Sequence, residues 1–196
     1  MRPALGNAPI NRMKSSWYAL KVFYNRIKPI RDAMKSDPSV GAVEDFDTFV
    51  PMCVVEEVGE EGLHYVERQL VSSLLFVHCS EEWLVRFRSL RPSEFMWYSK
   101  PGDSRHPAPI SDSEMKSFMI LTAGGRPVEY LGSTITDFRR GQKVRVIGGL
   151  YKGAEGYIKR IRRNRKFLVA VTGIAVVAVS YIHPDYLEPI TEENNK

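Results

Sequence analysis

The segment from Lys143 to Gly156 constrains this chain most. Val144, Val146 and Ile147 stand around Arg145 in near-alternation, and Gly148, Gly149 and Gly153 permit positive φ in a tight loop. Gly156 then opens a second β-rich run through Tyr157, Ile158 and Ile161. A strand, a glycine loop and a strand predict a compact all-β module. From Arg139 to Lys166 there are eleven Lys or Arg against one acid, Glu155. Such density is a footprint for phosphate or for an acidic partner surface, and the plainer alternative is a solvated strand face that discourages edge pairing.

With 196 residues, 43% of them hydrophobic, the chain has material for one medium or two small cores. Residues 1–122 carry 15 basic and 16 acidic groups, whereas 123–196 carry 13 and 7, so the basicity belongs to the C-terminal module. Cys53 and Cys79 have no metal-ligand spacing, and His64, His78, His106 and His183 are scattered. Neither a metal, a cofactor nor a disulfide framework is expected, and the cysteines read as buried thiols in a reducing compartment. Met1–Ser16 lacks the apolar stretch of a signal peptide, and the apolar run Phe167–Ile182 is interrupted by Thr172, Gly173 and Ser180. That run is shorter than the roughly 20 residues of a membrane span and reads as two buried strands joined by a Thr-Gly turn. A cytoplasmic, monomeric protein without a membrane contact is expected.

Along the chain, residues 1–16 read as a flexible leader. Trp17–Phe23 is strand-like, and Asn25–Lys35 has Ile27, Ile30 and Met34 at helical spacing with Arg26, Lys28 and Arg31 outward. Strands are expected over Thr48–Val58 and Tyr65–Cys79, around an acidic turn. Ser80, Glu81 and Glu82 open a helix through Trp83, Phe87 and Leu90, and Phe95–Tyr98 is a further strand. Ser111 and Glu114 form a capping box for a helix that buries Met115, Phe118 and Met119 and ends near Gly124 and Gly125. Residues 17–122 thus form one α+β domain, 123–137 a linker, 138–190 the β module and 191–196 a tail.

This order resembles the NusG family of transcription elongation factors. Trp17 and Tyr18 match the family's opening strand, Phe49, Val50 and Pro51 its second strand, and Pro107–Asp112 the start of its last N-terminal helix. Gly141–Gly156 is similar to its KOW loop. The resemblance implies an NGN-like α/β sandwich with an antiparallel sheet, followed by a small SH3-like KOW barrel. Val71–Val77, in place of a Phe-Pro-Gly-Tyr form, and Tyr181–Glu188 are similar to UpxY-type antiterminators of polysaccharide operons. Glu56, Glu57, Glu60 and Glu61 stand where the general factor carries basic residues, so nucleic-acid contacts are not carried over to that hairpin.

The resemblance also implies partners. The clamp helices of RNA polymerase would meet an exposed apolar patch at Phe49, Leu70, Val71, Leu74 and Phe76, with Arg86 and Arg88 toward the opposite lobe. Non-template DNA would meet Phe23, Tyr24, Asn25, Arg26, Lys28, Arg31 and Arg91. Arg160, Arg162, Arg163 and Arg165 are the candidates for nascent RNA. Leu150, Tyr151 and Ile174 mark the barrel's contact loops for a ribosomal small-subunit protein or for Rho. There Gly173, Ile174 and Ala175 replace a Phe-Gly-Arg form, and the lost aromatic fits a factor that opposes termination. The expected function is an operon-specific antiterminator that is not an enzyme, since there is no P-loop, nucleophile elbow or His/carboxylate cluster. The alternative is a KOW-bearing RNA-binding or ribosome-associated protein.

Overall fold

Alternation along β1 (Ser15–Val22) sends Tyr18, Leu20 and Val22 to one buried layer and Ala19 to another, so this strand is covered on both faces. The computed structural model describes residues 14–40, 46–60, 62–133, 141–161, 163–180 and 182–190. Most of the expected leader, the tail, residues 134–140 of the linker and its margin, Glu61, Arg162 and Tyr181 lie outside the described residues.

The N-terminal part follows the expected order closely. Helix α1 (Ile27–Lys35) buries Ile27, Ile30 and Met34. The β2 (Asp47–Phe49) and β3 (Met52–Gly59) strands come next, then β4 (Gly62–Gln69) and β5 (Leu74–Ser80). The strand expected over Thr48–Val58 is split at Val50 and Pro51 into β2 and β3, and the one expected over Tyr65–Cys79 is broken at residues 70–73, where the Leu74 amide donates to the Val71 carbonyl at 3.1 Å. Ser80 caps α2 (Glu81–Ser89), its Oγ accepting from the Trp83 amide at 3.3 Å. After β6 (Phe95–Trp97), Ser111 accepts from the Glu114 amide to start α3 (Asp112–Thr122).

One antiparallel sheet has the order β2-β5-β1-β6, and β3 and β4 form a separate ribbon. Beneath the sheet, α1 and α2 complete a core of Leu20, Leu75, Val77, Met34, Leu84 and Phe87. Above it lies α3, whose Phe118 ring is 5.5 Å from that of Phe76.

The C-terminal sheet runs β12-β8-β9-β10-β11-β7, from β7 (Glu129–Gly132), β8 (Gln142–Val146), β9 (Glu155–Ile161), β10 (Asn164–Val171), β11 (Ala175–Val179) and β12 (Leu187–Pro189). The two strands expected around the Thr172–Gly173 turn are β10 and β11. Gly156 is required by close approach, since a Cβ there would lie 2.2 Å from the Leu168 carbonyl oxygen. The segment read as a linker contributes β7, which pairs with β11 through a register shift. Four residues are too few to show a period, and the strand owes its existence to the edge it covers.

One apolar cluster runs from Ala19, Leu74 and Phe76 through Met115, Phe118 and Leu121 into Val144, Val146, Phe167 and Val169 of the barrel. Helix α3 is therefore shared between the two sheets. Among the described residues no helix is long and apolar enough to cross a membrane. Both thiols are buried, which raises their pKa values. Phe118→Ala should cost about 3–5 kcal/mol, read from the guanidinium midpoint, because the void would open in the cluster that joins sheet to barrel.

Candidate functional site

The residues expected at a polymerase contact divide by burial. Phe49, Leu70 and Val71 are partly buried and pack against the shared cluster. Leu74 and Phe76 do not belong to an exposed patch: they are 2% and 0% exposed and lie on the sheet face under α3. Alternation along β5 dictates this, since Leu75 and Val77 face the opposite layer.

Arg86 is exposed and reaches Asp37 at 3.5 Å and the Ser39 hydroxyl. Hydrogen bonds from the Ser39 side chain and amide hold the Asp37 carboxyl below the usual range. Arg88 is not an open contact either. Its Nε donates to the Phe95 carbonyl at 2.8 Å, and its guanidinium lies 5.1 Å from the Trp97 ring centre. It clamps α2 onto β6.

The turn after β1 gathers part of the expected nucleic-acid set. Tyr24 is 89% exposed and, like Asn25, has positive φ, at 55° and 53°. Asn tolerates that region, whereas Tyr does so at a cost of about 1–3 kcal/mol. Phe23 is half-buried against Tyr24, their ring centres 6.4 Å apart. Arg26 and Lys28 are exposed beside the turn. Arg91 is half-buried over the Phe87 ring at 4.4 Å and shares Glu94 with Arg26, at 3.9 and 3.8 Å. Arg31 departs from the expected outward face: it is half-buried, and its Nε is buried without a hydrogen-bond partner.

On the barrel, Leu150 is 61% exposed, but Tyr151 and Ile174 are only 8% and 5% exposed and belong to the shared cluster. Those two are core residues rather than a partner surface. Burial raises the Tyr151 phenol, against an opposing effect of Arg126, whose guanidinium lies 5.5 Å from its ring. The exposed neighbours are Ile147 and Tyr186, which the sequence reading did not place among the contact residues. Gly148 was the available signal, because a Cβ there would lie 2.6 Å from the Tyr186 ring.

Two polar contacts bind the barrel to α3. The Glu155 amide donates to Ser117 Oγ at 3.0 Å, and Thr172 Oγ1 donates to Glu114 Oε1 at 2.6 Å. Arg160, Arg163 and Arg165 are exposed, and Arg162 lies outside the described residues. On the β3–β4 ribbon Val58, Leu63 and Tyr65 are exposed among Glu56, Glu60 and Glu67. Its negative charge sets it apart from a phosphate contact. Among the described residues no cluster of three His, Cys, Asp or Glu is placed to hold a metal.

A family model described as "Transcription termination factor nusG" matches residues 15–119. No curated protein sequence matches the chain. A solved structure described as "Domain interaction in Thermotoga maritima NusG" is similar over 92% of this chain and 99% of that one, with 19% identity and a TM-score of 0.44. Arg88→Ala should lower stability by about 1–2 kcal/mol, measured by denaturant unfolding followed by tryptophan fluorescence. An unchanged midpoint would return Arg88 to the set of open contacts.

Proposed function

The chain belongs to the NusG family of transcription factors, and on that premise we propose that it is an operon-specific antiterminator of the UpxY type. The family match over residues 15–119, which spans the N-terminal sheet and most of α3, carries the family part of this reading, and the Val71–Val77 segment with the β10–β11 turn that lacks an aromatic supports the antiterminator part. In the proposal residues 17–122 grip the clamp helices of RNA polymerase and the C-terminal barrel, residues 138–190, serves as a second contact. It acts by binding rather than by chemistry, holding polymerase in a pause-resistant form.

The partly buried Phe49, Leu70 and Val71 are the residues left for the clamp contact once Leu74 and Phe76 are assigned to the core. They pack on the cluster that also takes in Phe167 and Val169 of the barrel, and in the proposal the barrel gives up its place against α3 when the clamp binds. Non-template DNA would stack on Tyr24 and meet Arg26 and Lys28, a role that accounts for the strained exposure of that tyrosine. At the β10–β11 turn the exposed positions are Thr172 and Gly173, which offer no aromatic anchor. This favours a factor that opposes Rho. Ile147, Leu150 and Tyr186 are the exposed apolar groups through which the barrel would meet a ribosomal protein.

Added to polymerase transcribing the leader of its own operon, the full chain should increase read-through at pause and termination sites. Val71→Asp should reduce binding to core polymerase about tenfold, which is about 1.4 kcal/mol, and lose the read-through, while circular dichroism shows an intact fold. Enhanced Rho-dependent termination by the wild-type chain would overturn the antiterminator reading. Unchanged affinity in folded Val71→Asp would overturn the assigned surface.

A further inference from the structure

The β9–β10 hairpin carries two consecutive like-charge pairs across its strands. Arg160 faces Arg165, and Lys159 faces Lys166. Like charges directly opposite one another destabilise a sheet, so the sequence carries a cost here that a structural role does not require. The two pairs differ in what surrounds them. Lys166, on one face, reaches the Glu129 carboxylate of β7. Arg145, on the neighbouring strand, is paired with Glu155 at 2.8 Å. Arg160 and Arg165 form no ion pair with any described residue.

Because strand residues alternate, Arg160 and Arg165 share a face with Ile158 and Phe167, the apolar side of the barrel. They stand at the open end of that side. There they line a groove floored by Val144, Ile158, Leu187 and Pro189, and no acid among the described residues lines it. The turn beyond them is built against preference as well. Ile161 pairs with Asn164, leaving a two-residue loop in which Arg163 has φ 71°. Glycine or asparagine is the usual occupant of such a position, and arginine there is strained.

The geometry points to a binding site for the phosphate backbone of a single-stranded nucleic acid, formed by Arg160 and Arg165 at the groove and Arg163 at the tip. Paired guanidinium groups bind phosphate oxygens bidentately, and the apolar floor accepts sugar and base without reading sequence. An acidic peptide fits less well. Strands β9 and β10 are both interior to their sheet, so no edge is open for a peptide to add as a strand. The site rests on the barrel's geometry alone and does not depend on the polymerase reading.

The test uses the full chain without polymerase and follows the fluorescence anisotropy of labelled oligouridylate and oligothymidylate across a salt series. If three phosphates are held, log affinity should fall with log salt with a slope of about −2, from about −0.7 per contact on a single strand. Arg160→Gln with Arg165→Gln should remove about two thirds of that slope. Arg165→Glu should weaken binding while raising the melting temperature, because it turns a like-charge pair into an opposite one. Arg163→Gly should also weaken binding while raising the melting temperature, because glycine relieves the turn. The RNA and DNA arms identify which strand is preferred, and binding of either one bears the proposal out. Unchanged affinity in these folded variants, or polyglutamate of matched charge binding as tightly as both strands, would overturn it.

Discussion

Helix α3 is asked to fill two interfaces at once, and the rest of the structure depends on how it does so. An eleven-residue helix presents one wide apolar face, here Met115, Phe118 and Leu121, and the sheet takes it through Ala19, Leu74 and Phe76. Toward the barrel the same cluster continues into Val144, Val146, Phe167 and Val169, and Ser117 and Glu114 add hydrogen bonds of a kind that water can replace. The two contacts therefore differ in their polar share. Separating α3 from either sheet would expose buried apolar surface, and separating it from the barrel would in addition exchange polar contacts for solvent.

Charge is arranged in the same two-part way. The β3–β4 ribbon presents Glu56, Glu60 and Glu67 around exposed apolar side chains, while the β9–β10 hairpin presents arginines. By charge alone the first disfavours a polyanion and the second favours one. Arg88 and Arg91 show why composition alone misleads here, since both spend their charge on aromatic faces and carbonyl or carboxylate oxygens within the fold.

Much of the fold was legible from period and punctuation. Ser80 and Ser111 announced their helices because a capping hydroxyl is a local device, and the Thr172–Gly173 turn announced β10 and β11. Strand β7 was not legible, because a four-residue edge strand is decided by its neighbour rather than by its own sequence. The site was read less well for a related reason. Leu74, Phe76, Tyr151 and Ile174 are apolar residues whose exposure depends on whether α3 and the barrel lie against them, a long-range fact with no local signal. Tyr24 was visible as an aromatic beside basic residues, but its left-handed backbone was not.

The central claim of the proposal is that α3, which packs against the barrel, releases it when polymerase binds. The most direct measurement replaces Glu114 and Thr172, which are hydrogen-bonded across that contact, with cysteines and bridges them with a short bismaleimide. Cys53 and Cys79 are buried and so stand apart from the labelling. Binding of core polymerase by the bridged chain is then compared with the same variant left unbridged. The account predicts that the bridged chain keeps its fold and loses polymerase binding while the unbridged chain retains it. Equal affinity of the two forms would contradict it.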